Sequence, residues 1–266
     1  MYDHVYLSPH FDDAPLSCGG VIHQQVQQGQ TVLVITICAA LPAGPLSPFA
    51  AQFHAAMGNP DVVVATRRRE DKAAVERLGA DLVWLDFQDA LYRGRSEEGG
   101  WYYLSISEIF GTIHPDEQAF SDAIVTAINE QVAGGPLPTL YAPLTVGGHV
   151  DHQHAHRAAW ALREQGWRVL FYEDYPYADP DYRLPFDQEN PATLDATLVS
   201  LRAAHLTPHI VRLSEADLQA RIDSVHAYGS QVPMLFGNAA AAASRLRAYT
   251  MTIDGEGPAE RFWTPG

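Results

Sequence analysis

Cysteine is scarce in this chain: 266 residues carry two, Cys18 and Cys38. Two thiols in apolar N-terminal surroundings make no disulfide scaffold, so a reducing, cytoplasmic compartment is expected. Basic residues are also few, 17 against 32 acidic ones, for a formal net charge of -15. Their only cluster is Arg67-Arg68-Arg69. This balance argues against nucleic acid or an anionic membrane surface as a partner. Long apolar runs are missing too. No stretch approaches the roughly 18 residues of a membrane span, and no signal-peptide pattern is expected at the N-terminus.

The residues that are present, 47% hydrophobic with 10% aromatic, suit one large α/β domain over 1–266. Val5-Tyr6-Leu7 reads as a buried first strand, and Leu16 to Gln28 as a helix ended by Gly29. Thr31 to Cys38 is continuous and β-branched, as a central parallel strand covered on both faces should be. Residues 39–61 read as an irregular loop with at most one short helix. A helix capped by Thr66 runs to Leu78, and Leu82 to Leu85 is a strand. Tyr92 to Glu117 is an excursion over the active face. Helices over Ala119–Gln131 and Asp151–Gln165 alternate with strands over Thr139–Ala142 and Arg168–Tyr172. This alternation predicts an open, mostly parallel sheet with helices on both sides, a Rossmann-like three-layer α/β fold. Further on, Tyr175 to Pro191 is a loop, Ile210 to Leu213 an edge strand and Leu218 to Tyr228 a helix. Ala239 to Ala243 is a low-complexity helix or loop.

Two polar constellations carry the chemistry. Ser8-Pro9-His10-Phe11-Asp12-Asp13 follows the first strand, and Gly147-Gly148-His149-Val150-Asp151-His152 follows the strand ending at Ala142. Ligands in open parallel sheets bind outside the carboxyl ends of the strands, so both segments belong to one edge. Two histidines and an aspartate suit a catalytic metal with one position left for water, and a spare aspartate suits a general base. From the residues alone, a metal-dependent hydrolase of an amide or ester is the leading reading. A Rossmann-type binding domain and an aspartyl-nucleophile phosphatase remain open beside it, and solvated turns would explain each segment alone.

These segments resemble a known family. His10-Phe11-Asp12-Asp13 with Leu16-Ser17-Cys18-Gly19-Gly20, then Arg67-x-x-Glu70 with Leu78-Gly79, then His149-Val150-Asp151-His152, come in the order of the PIG-L or LmbE-like deacetylases. The resemblance implies hydrolysis of an N-acetyl group from an amino-sugar substrate of the N-acetylglucosamine type. It implies one Zn2+ per chain held by His10, Asp13 and His152, though other divalent metals suit such ligands. Asp12 would move the proton from the attacking water to the leaving amine. His149, as a protonated donor, would stabilise the oxyanion, and Asp151 would fix an imidazole tautomer. Arg67 would touch the sugar. Phe11 and Ala14 stand where the family usually has Pro and Glu, which points away from the thiol-precursor branches. Within the class, an amidase for a non-sugar or thiol-conjugate amide is an alternative; outside it, a sugar- or metal-binding member without turnover. Tyr172 and Asp174, in the aromatic and acidic stretch Tyr172–Tyr177, are expected to line the sugar pocket. His156, one turn beyond His152, could support the metal. An oligomer is compatible with all of this.

Overall fold

A computed structural model describes residues 1–57, 63–95, 100–183 and 192–266. Parts of three stretches read above as loops, 58–61, 96–99 and 184–191, lie outside the described residues. In chain order the elements are β1 (His4–Ser8), α1 (Asp13–Gln27), β2 (Val32–Thr36), α2 (Pro48–Ala56), α3 (Val63–Leu78), β3 (Asp81–Trp84), β4 (Gly94–Arg95), β5 (Gly100–Trp101) and α4 (Ile106–Ile109). There follow α5 (Phe120–Gln131), β6 (Thr139–Pro143), α6 (Val150–Glu164), β7 (Arg168–Tyr172), α7 (Leu194–Ser200), β8 (Thr207–Arg212), α8 (Glu215–Val225), α9 (Val232–Phe236), α10 (Ala239–Asp254) and β9 (Ala259–Thr264). Among the described residues no helix is long and apolar enough to cross a membrane.

Seven strands form one sheet in the order β3-β2-β1-β6-β7-β9-β8. The first five of these are parallel, and β9 pairs antiparallel with both β7 and β8. Alternation along β1 assigns the two faces. Val5 and Leu7 join Ile124 and Ile128 of α5 and Ala155 and Leu162 of α6 in one core. Tyr6 joins Cys18 and Ile22 of α1 and Val75 and Leu78 of α3 in the other. The sheet is therefore covered on both sides, as its β-branched central strand requires. Strand order reverses between β2 and β6, on either side of β1. That reversal opens the crevice where ligands of such sheets bind.

Several expected boundaries move. α1 begins at Asp13 rather than Leu16, because Pro15 sits in the first turn, where no N–H is needed. α3 begins at Val63, so Thr66 lies inside it and caps nothing. α8 begins at Glu215, behind a reciprocal Ser214–Asp217 cap. The alanine run opens a helix of 16 residues. The strand β9 was not expected at all. Its Glu260 breaks the apolar alternation yet is 2% exposed.

Glu260 is buried because it has partners. Its two oxygens accept the backbone N–H groups of Gly20 and Val21 at 2.9 Å each, and Arg221 lies 3.1 Å away. Arg221 in turn donates through Nε to the Leu16 carbonyl at 3.0 Å. A buried ion pair is tolerable when most of its polar atoms find partners in this way; here Arg221 Nη1 alone faces Glu260 without hydrogen-bond geometry. Close approach also explains Gly20. A Cβ there would fall 2.4 Å from Leu213 Cδ1 and 2.8 Å from Glu260 Oε1. Gly20→Ala should therefore cost about 1–3 kcal/mol in urea unfolding through overpacking. Gly257→Ala, where nothing lies within 4 Å, should stay within about 0.5 kcal/mol. Equal effects would refute this packing argument.

Candidate active site

The loop after β1 is braced before any ligand is considered. Ser8 Oγ donates to the His10 carbonyl at 2.6 Å and accepts the Ala14 N–H at 3.0 Å. The His10 backbone N–H donates to Asp13 Oδ2 at 2.7 Å. Across the switch point, Gly147 and Gly148 both take positive φ, +89° and +77°, a conformation that favours glycine. A Cβ on Gly147 would also meet the Tyr177 ring at 2.9 Å. This turn delivers His149 as the N-cap of α6, with Asp151 and His152 in its first turn.

Asp13 is the centre of the arrangement. Its Oδ2 lies 3.1 Å from His10 Nδ1 and its Oδ1 lies 3.3 Å from His152 Nε2. Burial alone would push its carboxyl up; the His152 and His10 rings override that and hold it well below the usual range. The far nitrogen of each ring is held separately. His152 Nδ1 lies 2.6 Å from Asp174 Oδ1, and Asp174 Oδ2 accepts the Val146 N–H at 2.9 Å. His10 Nε2 lies 3.0 Å from Asp151 Oδ2, which also accepts the Ala90 N–H at 3.0 Å. The other Asp151 oxygen accepts from Arg93, whose Nε pairs with Glu117.

His152 Nε2 is buried and makes no hydrogen bond. An orphaned nitrogen of this kind calls for a partner, and the atoms around it suit a cation. Donors of a four-coordinate zinc stand roughly 3.3 Å apart, close to the spacings about Asp13. A second grouping, His10 with Asp89 and Asp151, also places ligand atoms within 4.8 Å of one another. Arg93 already neutralises Asp151 there, so the set around Asp13 is the better fit. His149 falls within 4.8 Å of His10 and His152 as well, but its Nδ1 accepts the Asp151 N–H at 3.1 Å.

Two further groups face the same space without being spent on these contacts. Asp12 is buried beside Arg67, whose Nη2 lies 3.4 Å away. Burial raises the Asp12 pKa, neighbouring Asp13 adds to the rise, and Arg67 opposes it. His149 is displaced downward, first by burial and then by His10. This corrects the expectation of a protonated His149. With Nδ1 accepting a backbone N–H, the neutral ring carries its proton on Nε2 and remains a donor.

His10, Asp12, Asp13, Arg67, Asp89 and His149 all line one open pocket of about 700 Å³. Tyr172 and Asp174 do not line it, which corrects their expected contact with sugar. The Tyr172 hydroxyl donates to the Leu7 carbonyl at 2.8 Å inside the fold, and Asp174 holds His152 from behind. From that aromatic stretch only Pro176 and Tyr177 reach the pocket. His156 is also elsewhere, its Nδ1 on the Pro143 carbonyl and its Nε2 on the Trp160 indole. Sequence reasoning missed Asp89, although it follows β3 and the strand-end rule points there. It also gave Arg93 no role.

A buried set of two histidines and an aspartate, with the Asp12 carboxylate and the His149 imidazole beside it, suits a divalent cation and hydrolytic chemistry. Comparison agrees: residues 5–162 match the family described as PIG-L, GlcNAc-PI de-N-acetylase. The chain belongs to that family. It is 32% identical over 188 residues to a 2'-N-acetylparomamine deacetylase of Niallia circulans, covering 65% of this chain and 66%, just under two thirds, of that protein. The solved structure of a zinc-inhibited form of teicoplanin deacetylase is 27% identical, with a TM-score of 0.78 over 98% of this chain and 96% of that one. That of an A40926 pseudoaglycone deacetylase is 26% identical, with a TM-score of 0.76 over 99% and 96%.

The hydrogen bond from His152 to Asp174 yields a test. Losing the outer partner of a metal-binding histidine typically weakens metal about 10- to 100-fold. Asp174→Asn should show that loss in competition with a chromophoric chelator, while its far-UV circular dichroism stays native. An unchanged metal affinity would contradict the role.

Proposed function

We propose that this chain is a zinc-dependent N-deacetylase, removing the acetyl group from an N-acetylated amino sugar or its conjugate. One observation carries the reading. Asp12 and His149 face the pocket beside the His10–Asp13–His152 donors, and neither is needed to hold the cation. A pure binding protein has no use for a spare, desolvated carboxylate at that point. The relatives named above are deacetylases by their names, which supports the same reaction.

His10, Asp13 and His152 would hold the zinc ion, which would supply Lewis acidity toward the attacking water and the amide carbonyl. Asp12 takes a proton from that water and returns it to the departing amine. Its raised pKa improves it as a base relative to an exposed aspartate, and Arg67 keeps it placed. His149 donates a hydrogen bond from Nε2–H to the carbonyl oxygen as negative charge develops there. Asp151 keeps the Nε2 side of the His10 ring occupied and leaves Nδ1 on the side of Asp13. Arg67, stacked 5.0 Å over Phe11, is placed to contact the sugar as well. Residues 1–266 act as one unit in this reading, since Gln231, Met234 and Leu235 near the C-terminus close the same pocket.

Asp12→Asn tests the reading. It should retain zinc at wild-type stoichiometry while kcat/KM for acetate release from an N-acetylglucosaminide falls by about 10²–10⁴. Loss of zinc together with activity would place Asp12 among the ligands instead. Activity close to wild type would remove it from the chemistry.

A further inference from the structure

The pocket divides sharply in character. Its floor holds the acidic and basic side chains His10, Asp12, Asp13, Asp89, Arg67 and His149. Its mouth is built by three short segments that lie outside the sheet. Phe53 and Met57 come from α2 and the residue after it, Ile106 and Phe110 from α4 and its end, and Met234 and Leu235 from α9. Met57, Phe110, Met234 and Leu235 remain partly exposed to solvent. The one amide among them, Gln231, is turned toward Ser230 and the Met57 sulfur. Arg67 is the only cation among the described lining residues, and it lies on the floor against Asp12.

We infer that this mouth is a subsite for an apolar, uncharged aglycone, alkyl or aryl, attached to the amino sugar; the inference rests on the deacetylase reading and narrows its substrate. A bare sugar would place hydroxyl groups against the apolar Met57, Phe110, Met234 and Leu235 side chains, and such desolvation is unfavourable. A phosphate-linked substituent would meet no cation among the described lining residues of the mouth. A hydrophobic substituent removes all of these side chains from water at once, and the two methionines adapt to its shape. The mouth is continuous with the floor, so a substituent on a sugar whose acetamide reaches Asp12 can lie against these side chains.

The zinc-loaded full chain is assayed for acetate release from methyl, hexyl and phenyl N-acetyl-β-glucosaminides and from N-acetylglucosamine 1-phosphate. Each methylene fully removed from water is worth about fourfold, so partial burial of a hexyl chain gives at least about tenfold over methyl. A tenfold higher kcat/KM for hexyl or phenyl, expressed in KM, supports the subsite, and Met234→Asn with Leu235→Asn should narrow that ratio at least threefold. Equal values for the methyl glycoside, or better turnover of the 1-phosphate, overturn it while leaving the deacetylase reading intact. If no compound is turned over, the deacetylase reading fails. Calorimetric binding of the hexyl and methyl glucosaminides then decides the subsite: tenfold tighter hexyl binding upholds it, and equal binding overturns it.

Discussion

The structure depends on keeping the Asp13 carboxylate ionised in a buried place. An isolated carboxylate there would protonate or open the fold. It stays charged because His10 and His152 flank it, and each ring is itself held from behind. His152 illustrates the balance: burial lowers its pKa, yet Asp13 and Asp174 raise it to about 9. Alternation of sign then continues outward, from His10 to Asp151, to Arg93, to Glu117, with the Tyr103 hydroxyl on Glu117 at the end. No member of this series is a lone buried charge, which is the condition under which such networks are tolerated.

The fold delivers this charge pattern through elements that are themselves apolar. Strands β1 and β6 lie side by side, so the segments leaving their carboxyl ends meet above the reversal in strand order. The excursion between β3 and α5 serves two purposes. Its start supplies Asp89 and the Ala90 N–H to the polar floor, and Arg93 to Asp151. Its short helix supplies Ile106 and Phe110 to the mouth. Polar chemistry and apolar recognition are thus built from adjacent parts of one insertion.

Much of this was legible in the sequence. The β-branched run in β2 and the regular alternation of strands and helices carried the parallel sheet, because burial on both faces leaves a continuous apolar signature. His10, Asp12, Asp13, His149, Asp151 and His152 stood out because polar clusters at strand ends have few other uses. What was not legible depends on which way a side chain turns. Tyr172 and Asp174 belong to a strand end like the others, but Tyr172 closes the strand inside the core, whereas Asp174, in the turn beyond it, sits behind His152. Arg93 gains meaning only when the excursion folds back onto Asp151. The strand β9 was hidden because Glu260, its buried acid, is compensated by Arg221 and two backbone amides from distant elements. The charge state of His149 required its cap hydrogen bond, which no motif encodes.

The central claim is that one divalent cation sits among His10, Asp13 and His152, with Asp12 beside it and not bound to it. An anomalous-difference map collected at the zinc edge from crystals of the zinc-loaded protein tests this most directly. The account predicts a single strong peak bounded by His10 Nδ1, the Asp13 carboxylate and His152 Nε2. A peak on the other side of the His10 ring, between Nε2, Asp89 and Asp151, would contradict it, as would a peak coordinated by Asp12.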